Sequence, residues 1–339
     1  MIKLSLIIPT YNRAEYLEKS LKTFVNQSLN KQSYEIVLVD NNSSDNTKGV
    51  FDEFQKKFPG LNWIYFFEPK QGLHYARNRG ILLSRGNIIV FGDDDIEASP
   101  KWLESIFESF QEDEKTGIVG GPVYPIWDGT PPEWIYDYGT KDIHCVFAYL
   151  NYGNESKFLG QEDIFGCNFA IKKQLAVEIS GSAPDTFPPH MIHFSGSGEH
   201  AMLVKARIKG YKVFYNIEAC VRHHAPVSRC TLKYFINRYE RWGVENIYHQ
   251  YNAGSSLLRI FINLCQWCIA LMFSLPYHAA RKSKNNIKYY AIIMSKQVLF
   301  SWKHFIKLIF DPDLRAYTKR TDYLSELDKN RREELSGTE

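Results

Sequence analysis

Short apolar runs and amphipathic stretches alternate along the first hundred residues. Leu4 to Ile8, Glu35 to Val39, Trp63 to Phe67 and Ile88 to Phe91 have the length of buried strands, whereas Tyr16 to Val25 and Val50 to Phe58 repeat their apolar residues three and four apart. Strands that alternate with helices predict a parallel, doubly wound α/β sheet. Polar residues gather where the strands end: Pro9-Thr-Tyr-Asn-Arg13, Asp40-Asn-Asn-Ser-Ser-Asp-Asn-Thr47 and Asp93-Asp-Asp95. All three fall on the carboxyl-end edge of the expected sheet, where such sheets bind ligands. Caps and turns built from the same residue types are the structural alternative.

Three consecutive carboxylates after an apolar strand repel one another unless a cation shares them. A hard divalent ion such as Mg²⁺ or Mn²⁺, held by one or two acids together with substrate phosphates, is the natural neutraliser. The competing expectation is a helix start, because Asp95 to Ser99 precede an amphipathic segment and acids suit a helix N-terminus. Further along, Tyr211 to Tyr215 and Ala219 to Val221 read as strands. Gly120 to Trp134 is rich in Pro, Gly and aromatic residues with poor periodicity and reads as a loop.

In order and spacing, four signatures resemble the family 2 glycosyltransferases of GT-A fold. They are Ser5-Leu-Ile-Ile-Pro-Thr-Tyr-Asn-Arg13, Val39-Asp-Asn-Asn-Ser-Ser-Asp45, Gly72-Leu-His-Tyr-Ala-Arg-Asn-Arg-Gly80 and Asp93-Asp-Asp95, and the resemblance extends over residues 3 to 224. It implies transfer of a sugar from a nucleotide-sugar donor, a UDP-sugar first, to an acceptor hydroxyl with inversion. It also implies that Tyr11 stacks near the base beside the Pro9 and Thr10 backbone, and that Asp40 hydrogen-bonds the base. Arg77 lies against the nucleotide, Asp93 or Asp94 reaches the ribose, and Asp95 binds Mn²⁺ or Mg²⁺ on the diphosphate. The alternative for Arg77 is an ordinary surface cation of a helix.

Phe194 to Tyr211 resembles the stretch in which the family has Gly-Glu-Asp or Gly-Glu-Glu at a helix start, but here the second acid is His200. That position usually carries the base that removes the acceptor proton. Three expectations follow: Glu199 takes the role, or His200 does, since an imidazole titrating near pH 6.5 suits general-base work, or transfer is lost. A plain helix cap with Glu199 complementing the dipole is the structural alternative. In Arg222-His-His-Ala-Pro-Val-Ser-Arg229, His223 matches a family His that completes the metal site; His224 is the other candidate, and a His ligand favours Mn²⁺. Gly166 to Ile171 resembles the short strand beside the donor sugar, with Asn168 facing it. Trp127 and Trp134 are candidates for the acceptor cleft, because aromatic faces often line sugar sites; loop packing is the alternative.

At 339 residues and 44% hydrophobic content, the chain can bury one large core, or one core and a helical appendage. Its first apolar run is too short for a signal peptide, which points to the cytoplasm. Cys145, Cys167, Cys220 and Cys230 are scattered and Cys265-Gln-Trp-Cys268 has no second pair, so core residues are expected rather than a zinc site or disulfides.

The net charge of +3 conceals a division. Residues 228–320 hold 15 Lys/Arg against 4 Asp/Glu (+11), residues 1–227 hold 23 against 28 (−5), and residues 321–339 hold 3 against 6 (−3). Within the basic block, Leu257 to Tyr277 is an apolar helix interrupted by Arg259, Asn263 and Gln266, followed by Arg281-Lys-Ser-Lys284. The interruptions argue against a clean transmembrane span and suit a helix lying in the membrane interface, with its cations drawn to anionic lipid. Packing on the catalytic domain or on a second subunit is the alternative. No nucleic-acid motif accompanies the charge.

The expected organisation is a GT-A catalytic domain over 1–227, a basic apolar helical extension over 228–320 and a polar tail over 321–339. The expected activity is metal-dependent, inverting transfer of a hexosyl or N-acetylhexosaminyl unit to a lipid-linked or cell-surface glycan at the inner face of the membrane. A nucleotidyltransferase would want a Gly-rich phosphate loop, which the sequence lacks. A non-catalytic nucleotide-sugar-binding or scaffolding protein is the rival outside enzymes, with His200 as its support.

Overall fold

The computed structural model of the chain describes residues 1–137, 146–184, 198–281, 284–325 and 327. Strands β1 (Leu4–Thr10) and β2 (Tyr34–Asp40) are buried at every position, as parallel strands covered on both faces must be. With β3 (Asn62–Phe67) and β4 (Ile88–Gly92) they form the parallel half of an eight-stranded sheet. Strands β5 (Ile96–Ala98), β6 (Thr116–Gly120), β7 (Val123–Trp127), β8 (Lys157–Leu159), β9 (Asn168–Lys172), β10 (Lys212–Tyr215) and β11 (Val221–Ala225) complete the set. The large sheet runs β3-β2-β1-β4-β9-β6-β10-β8, and only β9 and β8 oppose the common direction. A second sheet, β5-β11-β7, stands at the carboxyl end of β4.

Helices α1 (Ala14–Phe24), α2 (Thr47–Lys57), α3 (Leu73–Leu83) and α4 (Trp102–Glu112) connect the strands. Helix α3 lies tight on β1: a Cβ at Gly80 would stand 2.3 Å from Ile7 Cγ2. Two short helices follow, α5 (Glu133–Asp137) and α6 (Lys173–Glu178), and then α7 (Gly198–Ile208). The chain continues through α8 (Leu232–Asn252), α9 (Leu257–Arg281), α10 (Lys284–Phe310) and α11 (Pro312–Thr318).

Four expectations change in this structure. Residues Ile96–Ala98 form β5 rather than a helix start, and the helix begins only at Trp102. The Pro- and aromatic-rich segment 120–134 is not a continuous loop, since it contains β7 and the beginning of α5. Pro125 is tolerated because β7 is an edge strand, where a missing N–H disrupts no ladder. The strand expected at Ala219 to Val221 runs instead from Val221 to Ala225, so both histidines stand inside it. Finally, the tail is not wholly polar surface: Tyr323, Leu324 and Leu327 are buried, and Tyr323 N donates to Ser180 O.

The C-terminal helices are joined to the sheet-bearing half through an aromatic cluster. Trp134 meets Phe235 of α8 and Tyr289 of α10 at ring distances of 5.1 and 5.3 Å, and Phe147 meets Phe235 at 5.8 Å. Farther out, Ile247, Ile260, Leu264, Phe305 and Leu308 bury the faces that α8, α9 and α10 turn toward one another. Cys167 and Cys230 are buried, whereas Cys220, Cys265 and Cys268 are only half-buried, and all five are free. Cys145, Phe194 to Ser197, Lys282, Ser283 and residues 328–339 lie outside the described residues.

Candidate active site

The three carboxylates point in different directions and acquire different partners. Asp94 turns inward: Thr10 Oγ1 donates to its Oδ2 at 2.7 Å, and Arg13 Nη1 donates to its Oδ1 at 2.8 Å. Arg13 Nη2 donates to Asp95 Oδ2 at 2.7 Å, so a single guanidinium bridges two acids. The other Asp95 oxygen lies 3.3 Å from His223 Nε2. Asp93 lies 3.5 Å from Arg77 Nη2.

Burial separates the proton affinities of this trio. It pushes Asp94 up to about 7 against the pull of Arg13, and it raises Asp93 against Arg77. Burial opposes ionisation of Asp95 as well, yet His223 and Arg13 outweigh it and hold that carboxyl well below the usual range. The same burial works against protonation of His223, but Asp95 raises it above the ordinary imidazole value.

Asp93, Asp95 and His223 bring one ligand atom each within 4.8 Å of one another. Asp93 Oδ1 and Asp95 Oδ1 are buried, with Arg77 Nη2 no nearer than 3.5 Å to the first and His223 Nε2 at 3.3 Å from the second, so two loosely held oxygens converge on one point. Two carboxylate oxygens and an imidazole suit Mn²⁺, with Mg²⁺ the harder alternative. Strand alternation decides between the histidines. In β11, Val221, His223 and Ala225 are buried while Arg222 is exposed, so His223 faces the acids and His224 faces away, with Nε2 3.0 Å from Glu97.

Two adjoining cavities open beside this cluster. One, of about 560 Å³, is lined by Pro9, Thr10, Tyr11, Asn41, Gly72 and Asp94 among others. Tyr11 is exposed there, whereas Asp40 is buried with both oxygens occupied, by Ser43 N–H and Tyr65 O–H. The other, of about 590 Å³, passes Asp93, Asp95 and His223 to reach Glu199 and His200. Its wall includes Arg77, which is buried rather than a surface cation and also lies 3.2 Å from Glu199 Oε2. Gly166 N donates to Glu199 Oε1, and a Cβ at Gly166 would meet Arg77 Nη2 at 2.4 Å, so the residue there must be glycine for Arg77 to sit where it does.

Three candidates are placed elsewhere. Asn168 is fully buried, its Nδ2 donating to Ala219 O and Pro122 O and its Oδ1 accepting from Trp102 Nε1, so its side chain ties strands together. Trp134 belongs to the aromatic cluster with α8 and α10, and Trp127 packs on Phe147. Neither indole lines the cavities.

Sequence reasoning missed Arg13, Asp163 and one face of α8. A buried acidic trio requires a counter-charge, and Arg13, at the end of the first polar turn, was the available one. Tyr234, Arg238, Trp242, Glu245 and His249 are spaced four, four, three and four apart, the mark of a single helical face, and the first four line the larger cavity. The extension therefore supplies a wall of the site. Asp163 carries no local signal.

The profile of glycosyl transferase family 2 matches residues 5–179. Glycosyltransferase AglE of Haloferax volcanii is 40% identical over 280 residues, covering 81% of this chain and 82% of its own length. The glucosyl-dolichyl phosphate glucuronosyltransferase of the same organism is 25% identical over 231 residues, 66% of this chain and 69% of that one. Among solved structures, the mannosyltransferase PcManGT of Pyrobaculum calidifontis, in complex with GDP-Man and Mn²⁺, superposes with a TM-score of 0.56 at 16% identity, over 91% of this chain and 88% of that one. The sheet order, the acidic cluster at the end of β4 and the matched profile agree, and the chain belongs to glycosyl transferase family 2 as a glycosyltransferase of GT-A fold.

Proposed function

We propose that this enzyme transfers a hexosyl or N-acetylhexosaminyl unit, with inversion, from a nucleotide-sugar to a hydroxyl of a lipid-linked glycan. The observation that carries this proposal is the convergence of Asp93, Asp95 and His223 between two cavities, one floored by the Pro9–Tyr11 turn and the other reaching Glu199 and His200. Tyr11 would stack on the base in the first cavity, and Arg13 and Arg77 would offer charge to the diphosphate. Asp93 and Asp95 would hold Mn²⁺ or Mg²⁺ with His223. When bound, that ion supplies Lewis-acid stabilisation of charge on the departing diphosphate. In the second cavity, Glu199 or His200 takes the acceptor proton as its oxygen attacks the anomeric carbon from the opposite side.

A lipid-linked acceptor is favoured by the names of relatives, one of which acts on glucosyl-dolichyl phosphate. It is also favoured by α9, whose exposed Leu258, Phe261, Ile262, Ile269, Met272 and Phe273 share one face. No described helix is long and apolar enough to cross a membrane. With the net charge of +11 over residues 228–320, this face suits the anionic inner surface of a cytoplasmic membrane. The scaffold alternative rested on His200 as a lost base, and it weakens because His200 has a carboxylate partner in the cleft.

Calorimetric titration with UDP, GDP and dTDP, each with and without Mn²⁺, tests the donor site, alongside Asp95→Ala. Binding of one nucleotide that needs both metal and Asp95 is the expected result. Absence of metal-dependent binding to all three would refute the proposal.

A further inference from the structure

His200 stands where the family resemblance places an acid, and a carboxylate and a second imidazole face it. Its Nδ1 lies 3.0 and 3.1 Å from the two oxygens of Asp163, a residue of the segment leading into β9. An ionised carboxylate only accepts hydrogen bonds, so the proton between them sits on Nδ1, which fixes the tautomer and leaves Nε2 with the free lone pair. On its other side, the ring of His249 from α8 meets His200 edge-on at 5.0 Å. The imidazole is therefore oriented by one segment and braced by another. Asp163 and His200 both line the cavity that holds Asp93, Asp95 and His223.

Glu199, the competing base, is differently placed. One of its oxygens accepts from Gly166 N at 3.1 Å and the other from Arg77 Nη1 at 3.2 Å. Both oxygens of this carboxylate are thus already engaged, one by an amide and the other by a guanidinium. It is well suited instead to holding Arg77 against Asp93.

We infer that Asp163 and His200 form a carboxylate–imidazole dyad in which His200 is the base and Asp163 is its positioning residue. This rests on the transfer reaction proposed above. Nε2 takes the acceptor proton as the acceptor oxygen bonds to the anomeric carbon. The bond from that carbon to the diphosphate breaks, and its electron pair leaves on the diphosphate oxygen. The resulting imidazolium is stabilised by Asp163, and the dyad does the work of a single acid because the imidazole alone would be free to turn or to take the wrong tautomer.

The electrostatics agree in direction. The hydrogen bond that His200 donates to Asp163 raises the imidazole above its ordinary value, against the effect of partial burial. The other charged or titratable groups that act on the ring are Glu199 and Arg207 on its own helix and His249 on α8. Burial and His200 both lower His249, which favours its neutral form as a packing partner.

Two measurements test the dyad. The first is nitrogen-15 NMR of histidine-labelled protein, titrated for wild type and Asp163→Asn. It should show His200 protonated at Nδ1 in the wild type, with a midpoint that falls in the variant. The second is the pH dependence of nucleoside diphosphate release from UDP-glucose and GDP-mannose. Asp163→Asn should lower kcat by about 10- to 100-fold, less than the roughly 10²- to 10⁴-fold that a general base itself contributes, move the acid limb to lower pH and leave donor KM unchanged. Asp163→Glu should restore part of the rate. In a His200→Asp background, where no imidazole needs orienting, Asp163→Asn should cost less than about twofold.

The inference is overturned if His200 keeps its tautomer and midpoint without Asp163. It is equally overturned if Glu199→Gln abolishes release while His200→Gln leaves it intact. Failure of the underlying transfer reaction looks different: the wild type then shows no metal-dependent nucleotide binding, whatever the NMR reveals.

Discussion

Arg77 Nη1, on α3, lies 3.2 Å from Glu199 Oε2, at the head of α7, in the wall of the larger cavity. The guanidinium is only 3% exposed, and on its other side it approaches Asp93. One buried cation thus couples the acids at the end of β4 to the helix that carries His200. The family resemblance named both residues but did not pair them, because a sequence separation of 122 carries no signal of proximity.

Replacing Arg77 by Met would leave Asp93 and Glu199 without their shared partner in a largely buried place. A loss of about 3 kcal/mol in unfolding free energy is expected, the lower part of the range for a broken buried pair because Glu199 is partly exposed. Urea unfolding of the two proteins measures it. A change below about 0.5 kcal/mol would mean that water replaces the pair freely.

Gly166→Ala tests the same contact from its other side. The added Cβ would fall 2.4 Å from Arg77 Nη2, so Arg77 must move. We expect nucleoside diphosphate release to fall at least tenfold, with a stability loss of about 1–3 kcal/mol as for an overpacked core. Unchanged turnover would show that the position of Arg77 is not required.

His223→Ala and His224→Ala should behave oppositely, although the residues are neighbours. The first removes a candidate metal ligand and should weaken Mn²⁺-dependent nucleotide binding by about 10-fold or more. The second only frees Glu97 and should leave it within about twofold. Manganese titrations of both variants decide this, and equal effects would remove His223 from the metal site.

Acid stability should depend on His249. Burial and the nearby His200 hold it below 6.5, so as pH falls the unfolded chain takes up its proton first. Its contribution is complete above pH 6.5 and is lost as pH falls through the lower folded value. Relative to wild type, His249→Gln should therefore gain stability between pH 7 and pH 5, as read from unfolding midpoints at each pH. A constant difference between the two proteins would contradict the assignment.

The apolar face of α9 predicts attachment to vesicles. Phe261→Ser with Phe273→Ser should weaken sedimentation with anionic phosphatidylglycerol vesicles at least tenfold, since each exposed ring contributes on the order of 1.5 kcal/mol when buried. High salt should weaken it further. If the wild type ignores vesicles and sediments as a dimer that the double variant dissolves, the face belongs to a second copy of the chain.

Much of this molecule was legible in its sequence, and the legible part has one physical character. Buried parallel strands need unbroken apolar runs, so β1 to β4 announce themselves to within two residues. Ligand turns at their ends need polar residues and sharp changes of direction, so Pro9 to Arg13 and Asp93 to Asp95 announce themselves too. These are local demands of backbone and burial. The small sheet was harder, because β5 is three residues long and β7 contains a proline that only an edge strand tolerates.

What tertiary structure alone decided is which partner each of several chemically similar neighbours faces. Strand alternation, once β11 runs from Val221 to Ala225, turns His223 to the acids and His224 to Glu97. Packing gave Asp94 to Thr10 and divided Arg13 between Asp94 and Asp95, leaving one loosely held oxygen on each of Asp93 and Asp95. Long-range contact brought Asp163 beside His200 and a face of α8 over the cleft. Apolar periodicity is written locally because every strand or helix must hide one face from water. The pairing of charges is not, because a carboxylate finds its partner wherever folding delivers one.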